Sequence, residues 1–303
     1  MSLRRFDFPD FKWWIGVVEA NDDKKKRGRL AVRIYGYHTK DLGQLPTDKL
    51  AWAIVSNGIQ SSSLSGLGHS PTGIVKGTTV WGFFLDGSDA QVPIIVGSLP
   101  GEPSKPGGGE GFADPDGKYP NKPDESDVNR LSRGDTKETV VEKTRNSLDT
   151  AQVAFGGTWK EPASKYAAKY PFNHVFESIS GHVEEFDDTE GSERMSRHHK
   201  KGTFEEIHPD GTRVHKVVKD NYEVVHGDDY LLVKGNVKVH IMGNASVLVN
   251  GNVDLEVDGN VKETIHGNYD MQVDGYAKWN VDGDFARSSG VHISDDAPKI
   301  DHN

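Results

Sequence analysis

A few groups of residues have types and spacings that chemistry can use. Gly68-His69-Ser70 approaches the sharp turn that presents a nucleophilic serine, but Pro71 follows the serine and the second glycine comes one place late. Glu184, Glu185, Asp187 and Asp188 bring four carboxylates together. On a strand, neighbours alternate between faces, so this run reads as the polar face and turn of an extended segment rather than an acid–base pair. His198 and His199 are adjacent and point to opposite faces, which makes them poor partners for one metal ion. His208 and His215 flank the turn Pro209-Asp210-Gly211-Thr212 and read as structural. His292 and His302 lie ten residues apart near the C-terminus. In a threefold assembly one histidine per chain supplies three ligands to an axial ion, but no paired spacing supports that here. There is no H-E-x-x-H and no phosphate-binding glycine loop of the G-x-x-x-x-G-K-[ST] type. The expectation is a chain that is not an enzyme and has no catalytic, cofactor or metal site.

Composition narrows the frame that holds these residues. The 303 residues include no cysteine, which excludes disulfides, thiolate zinc sites and a thiol nucleophile. Lys plus Arg is 36 against 46 Asp plus Glu, a formal charge of −10, which argues against a nucleic-acid partner. No apolar run is long enough for a membrane-spanning helix, and the opening MSLRRFDFPDFKWW lacks the apolar stretch of a signal peptide. Only 34% of residues are hydrophobic. Two ordinary globular cores are hard to build from that, and an elongated part that borrows its core from partner chains fits better.

The last third supplies that part. Gly227, Gly235, Gly243, Gly251, Gly259, Gly267, Gly275 and Gly283 fall in strict eight-residue register. Two places before each stands a β-branched residue: Val225, Val233, Ile241, Val249, Val257, Ile265, Val273 and Val281. Asn or Asp follows the glycine in seven of the eight repeats, Tyr276 being the exception. Positions two and four after glycine are mostly apolar as well, so each octapeptide reads as a short strand with one apolar face. The glycines would be the corners, using their freedom to take positive φ, and the β-branched residues the core. His226, His240 and His266 fall on the outer, polar face.

An eight-stranded meander seldom keeps one side-chain register so strictly, and a single-chain solenoid has repeats that differ from face to face. Identical octapeptides fit three identical chains wound about one axis, with closure hiding the strand edges. At roughly 4.8 Å per stacked strand the shaft would be about 40 Å long.

The N-terminal part reads differently. Residues 13–19, 29–36, 51–55, 79–85 and 92–97 are rich in β-formers with no helical pattern between them. Five strands in this length suggest a small barrel of the OB type. Lys24, Lys25, Lys26 and Arg27 read as the solvated tip between the first two strands. Residues 101–122 (GEPSKPGGGEGFADPDGKYPNK) read as a linker, and 126–153 as charged with at most a short helix.

Several motifs carry a resemblance. YPFNHVFESISGHVEEFDDTEGSER at 170–194, GTFEEIHPDGTRVHKVVKDNYEVVHGDDYLLVKGNVKVHIMGN at 202–244 and the closing SSGVHISDDAPKIDHN are similar to the shaft of the central spike family of T-even-type contractile-tailed phages, related to the VgrG spikes of type VI secretion. KRGRLAVRIYGYHT and FFLDGSDAQVPIIVGSLPG resemble the OB domain of that family. The resemblance implies an all-β homotrimer: an OB-fold domain at 1–100, a linker with little regular structure at 101–172, lead-in strands at 173–218, an intertwined triple-stranded β-helix at 219–290 and a tip at 291–303. It implies a structural spike in the virion, assembled in the host cytoplasm, that pierces the host envelope when the sheath contracts. Its partners would be a baseplate hub protein on the OB domain, a PAAR-type protein at the tip, and the envelope in passing. In the T-even family a lysozyme domain lies between barrel and shaft, and the stretch of about 70 residues here has no room for one. The alternative is a VgrG-like spike or adaptor that carries a tip or effector protein, although this sequence opens directly on the barrel.

Overall fold

The computed structural model describes residues 11–102, 109–119, 122–145 and 147–296. The N-terminal part is a closed barrel of β1 (Trp13–Ala20), β2 (Leu30–Ile34), β3 (Trp52–Val55), β4 (Thr79–Phe84) and β5 (Pro93–Ser98), joined in the order β1-β2-β3-β5-β4. Only β3 and β5 run parallel. Each observed strand lies within two residues of its expected bounds. Val18, Leu30, Val32, Ile34, Val80, Phe84 and Ile95 fill the interior, as alternation along the strands requires. Gly82 is set by close approach: a β-carbon there would run into the backbone carbonyl of Ile94 across the bulge between β4 and β5.

After the barrel, residues 109–119 return over its end. Phe112 stacks on Tyr35 at 4.1 Å, and the Phe112 amide donates to Glu19 Oε1 at 2.7 Å. The expected linker is therefore not a free tether where it is described. Residues 103–108, 120 and 121 of that stretch lie outside the described residues. Further along it come the short helix α1 (Val140–Arg145) and the hairpin β6 (Thr150–Gln152) and β7 (Thr158–Lys160). Leu131, Val140 and Val141 form a second small core with Val183.

That core belongs to a five-stranded antiparallel meander. It is made of β8 (Asn173–Glu177), β9 (Val183–Asp187), β10 (Arg194–His198), β11 (Phe204–Ile207) and β12 (Arg213–Lys216). Beyond it, described residues 219–296 contain no hydrogen-bonded strand. Bends fall instead on the residue before each repeat glycine and on the glycine itself, from 226–227 to 282–283, with one further bend at 290–291. The chain divides into two units, Met1–Met242 and Gly243–Asn303.

Candidate trimerisation interface

The meander is inverted relative to an ordinary half-buried sheet. Along β9, Val183, Glu185 and Asp187 are buried, whereas Phe186 is exposed. Along β10, Arg194, Ser196 and His198 are buried, and Met195 and Arg197 are exposed. On β11, Phe204 and Glu206 are buried. The face turned toward its own chain is thus largely polar, and the face turned to solvent carries Phe176, Phe186, Met195 and Ile207. A sheet normally has the opposite arrangement.

The polar face is held by a chain of alternating charges. Arg194 Nη2 meets Glu185 Oε2 at 2.7 Å, its Nη1 lies 3.3 Å from Glu206 Oε2, and Arg145 Nη1 from α1 reaches that same oxygen at 3.1 Å. His208 Nε2 lies 2.9 Å from Glu206 Oε1, and Ser164 Oγ and the Lys165 amide donate to this carboxylate. Burial works to raise the Glu206 carboxyl, but the two guanidiniums outweigh it and hold it below the usual range. The Arg145 guanidinium lies 4.0 Å from the Phe204 ring centroid, which fixes α1 against the sheet.

These positions correct one expectation. The four carboxylates do not make the single polar face expected of the run: Glu185 and Asp187 point inward while Glu184 and Asp188 do not, and the alternation Val-Glu-Glu-Phe-Asp already carried that phase. His198 is enclosed and His199 exposed, as opposite faces demand. His208 is buried beside Glu206, whereas His215 is exposed. The ion network through Arg145 escaped the sequence reading because its members are scattered from 145 to 206, with no local pattern to join them.

The solvent-side face has the features of a surface awaiting a partner. Phe186, Met195 and Ile207 line a shallow hollow of about 150 Å³. Around them sit the cross-strand pairs Glu184–Arg197 at 2.8 Å and Glu205–Arg213 at 2.6 Å. An apolar centre with a paired polar rim is the usual make-up of a protein interface.

The repeats continue the theme. The eight β-branched residues from Val225 to Val281 are 45–56% exposed, and most of the other apolar repeat positions are more so: Val247 is 87% and Leu255 83% exposed. None has a core in its own chain. The repeat glycines correct a second expectation, because none has the positive φ that the corner argument invoked. A β-carbon on any of them would meet nothing within 4 Å. Neither conformation nor space within one chain therefore demands glycine there. His302 and the rest of 297–303 lie outside the described residues, so the tip reading is not addressed by the structure. Among the described residues no group of three or more His, Cys, Asp or Glu side chains forms a metal cluster.

Barrel topology, inverted sheet and coreless repeats together define an all-β protein with an OB domain followed by a trimerisation domain. Comparison with known proteins agrees. Residues 36–169 match the Gp5 N-terminal OB domain, and 184–281 match the bacteriophage T4 gp5 C-terminal trimerisation domain. The chain carries both of these Gp5 domains and is homologous to phage baseplate central spike proteins. It is 37% identical over 272 residues to Protein Gp5 of Vibrio phage KVP40, covering 78% of this chain and 64% of that protein. It is 39% identical over 153 residues to the pre-baseplate central spike protein Gp5 of Enterobacteria phage T4, covering 47% of this chain and 26% of that protein. The chain thus spans less than two thirds of the length of either relative.

Proposed function

We propose that this chain is the structural central spike of a contractile phage tail baseplate, working mechanically and without catalysis of its own. The observation that carries the reading is the order of parts: an OB barrel, an inverted sheet with its apolar face bare, then eight octapeptides whose β-branched residues find no core in their own chain. Three copies would cover these surfaces mutually. The sheet at 173–218 would lead into a triple-stranded β-helix over 219–290, with Gly227 to Gly283 at its corners, Val225 to Val281 on its axis and 291–303 as its tip. Such a shaft unfolds slowly, since no chain leaves without unwinding from two others. The barrel would seat on a baseplate hub protein, the tip would receive a PAAR-type protein, and the shaft would touch the host envelope only as it is driven through. The place of action would be the tail tip of the virion, after assembly in the host cytoplasm. Names and matched domains of the relatives support this role.

Light scattering on the purified chain, with unboiled and boiled samples compared in SDS, tests it. The expected result is a mass of three chains and a trimer band that survives unboiled SDS. A monomer with an ordinary melting transition overturns the shaft and the spike reading together. Gold-labelled antibody to the barrel should then mark the tail tip of virions, and label on the capsid or tail fibres would exclude the baseplate assignment.

A further inference from the structure

We propose that the lead-in sheet binds a hard divalent cation of the calcium type between Asn173, Glu185 and Asp187. Asn173 on β8 stands directly opposite Asp187 on β9, and Glu185 is the next inward residue of β9. Directly opposed side chains lie about 5 Å apart at the β-carbon, so the three share one small patch. They are almost sealed: Asn173 and Glu185 are 1% and Asp187 is 2% exposed.

Within that patch three oxygens receive no hydrogen: Asn173 Oδ1, Glu185 Oε1 and Asp187 Oδ2. The amide cannot be turned to help. Its Nδ2 already donates to the Leu131 carbonyl at 3.1 Å and to Glu185 Oε2 at 2.9 Å, and reversing it would set an oxygen against two acceptors. Three enclosed acceptors cannot satisfy one another, and an unmade bond in a buried site is costly.

Charge is short as well. Glu185 has Arg194, and Glu206 has Arg145 together with the other arm of Arg194. Asp187 receives only the Thr189 amide, at 3.0 Å on Oδ1; Arg194 stands directly opposite it on β10, but that guanidinium is turned to Glu185 and Glu206, and among the described residues no cation forms an ion pair with Asp187. A buried carboxylate without a counter-charge is strongly unfavourable. Water would satisfy the acceptors but not the charge. Two carboxylates and an amide oxygen are the ligand types a hard cation takes, with the remaining positions left to carbonyls or water. A bound ion would tie β8 to β9 where the chain turns into the meander.

The test uses the full-length protein, dialysed first against EDTA. Titration with calcium, followed by isothermal calorimetry and by displacement of terbium sensitised through aromatic residues, should give one ion per chain. The thermal midpoint should be higher in calcium than in EDTA, reversibly. Asp187→Asn should weaken binding tenfold or more, while Asp188→Asn, on the exposed neighbour, should leave it unchanged. If Asp187→Asn fails to fold, the wild-type comparison of calcium with EDTA still decides. Absence of binding, with equal midpoints in calcium and EDTA, overturns the site in favour of water. Equal midpoints that rise as the pH is lowered from 7 to 5 overturn it in favour of a proton shared by the two carboxylates. Loss of binding in both variants overturns it in favour of loose surface association.

Discussion

Arg33 and Glu19 face each other inside the barrel end with no access to solvent, Nε to Oε1 at 2.6 Å and Nη2 to Oε2 at 3.0 Å. Around them the pair gathers the chain. Arg33 also donates to the carbonyls of Thr39 and Leu45, and Glu19 accepts from Thr47 Oγ1 and from the Phe112 amide. A β-carbon on Gly111 would strike the Arg33 side chain, so the returning strap is fitted to the guanidinium as well. Breaking such a pair from one side strands a buried charge, at about 3–5 kcal/mol. Arg33→Met and Glu19→Gln should each lower the urea midpoint of barrel unfolding by a corresponding amount, and the double substitution should recover part of the loss. A single-variant cost under about 1 kcal/mol would mean that the charge finds water instead.

The barrel was legible from the sequence because its five strands are runs rich in apolar β-formers that pack on a core in the same chain. The repeat was legible as a repeat for a similar reason: Val257 and Gly259 recur in fixed phase with their counterparts. The polar network on the meander was not. Glu185, Arg194, Glu206 and Arg145 look like solvated charges one at a time, and only the strand register places them on one enclosed face. The repeat glycines fall at bends, as their spacing suggested, but the positive φ expected of them is absent.

If space is open around Gly259 in one chain, what limits the site must come from neighbouring chains. Gly259→Val should therefore leave the barrel's thermal transition unchanged while sharply reducing the yield of SDS-resistant trimer. Gly251→Val should behave alike. Normal yields of heat-resistant trimer from either variant would remove the glycines from the corners.

The β-branched positions make the complementary prediction. Val257 is 47% exposed in the single chain, inside the 45–56% range of the eight equivalent positions. In a threefold shaft its three copies would meet near the axis. Val257→Asp would then bring three carboxylates together in a dry layer, which like-charge repulsion and desolvation forbid. Trimer should be lost or greatly reduced by light scattering, whereas Asn260→Asp, on an outer position, should assemble normally. Equal trimer yields from the two variants would exclude an axial place for Val257.

His198 gives the protein an acid-sensitive point. It is 1% exposed, its Nδ1 lies 2.9 Å from Ser196 Oγ, and its ring stacks on Phe204 at 4.9 Å. Burial, aided by Arg145 and Arg194 and opposed by Glu206, pushes its pKa down from 6.5 to about 4. The unfolded chain therefore takes up a proton below about pH 6.5 that the folded chain refuses until about pH 4. The sign follows: the contribution is fully present above the unfolded value and is lost as the pH falls through that window. A shift of this size corresponds to roughly 3 kcal/mol at most. Urea midpoints of the full-length protein should fall from pH 7 to pH 4, and His198→Gln should flatten that part of the curve while lowering the neutral-pH value. An unchanged slope in the variant would assign the acid sensitivity to the Glu206 cluster, whose carboxyl is depressed and gives way only at lower pH.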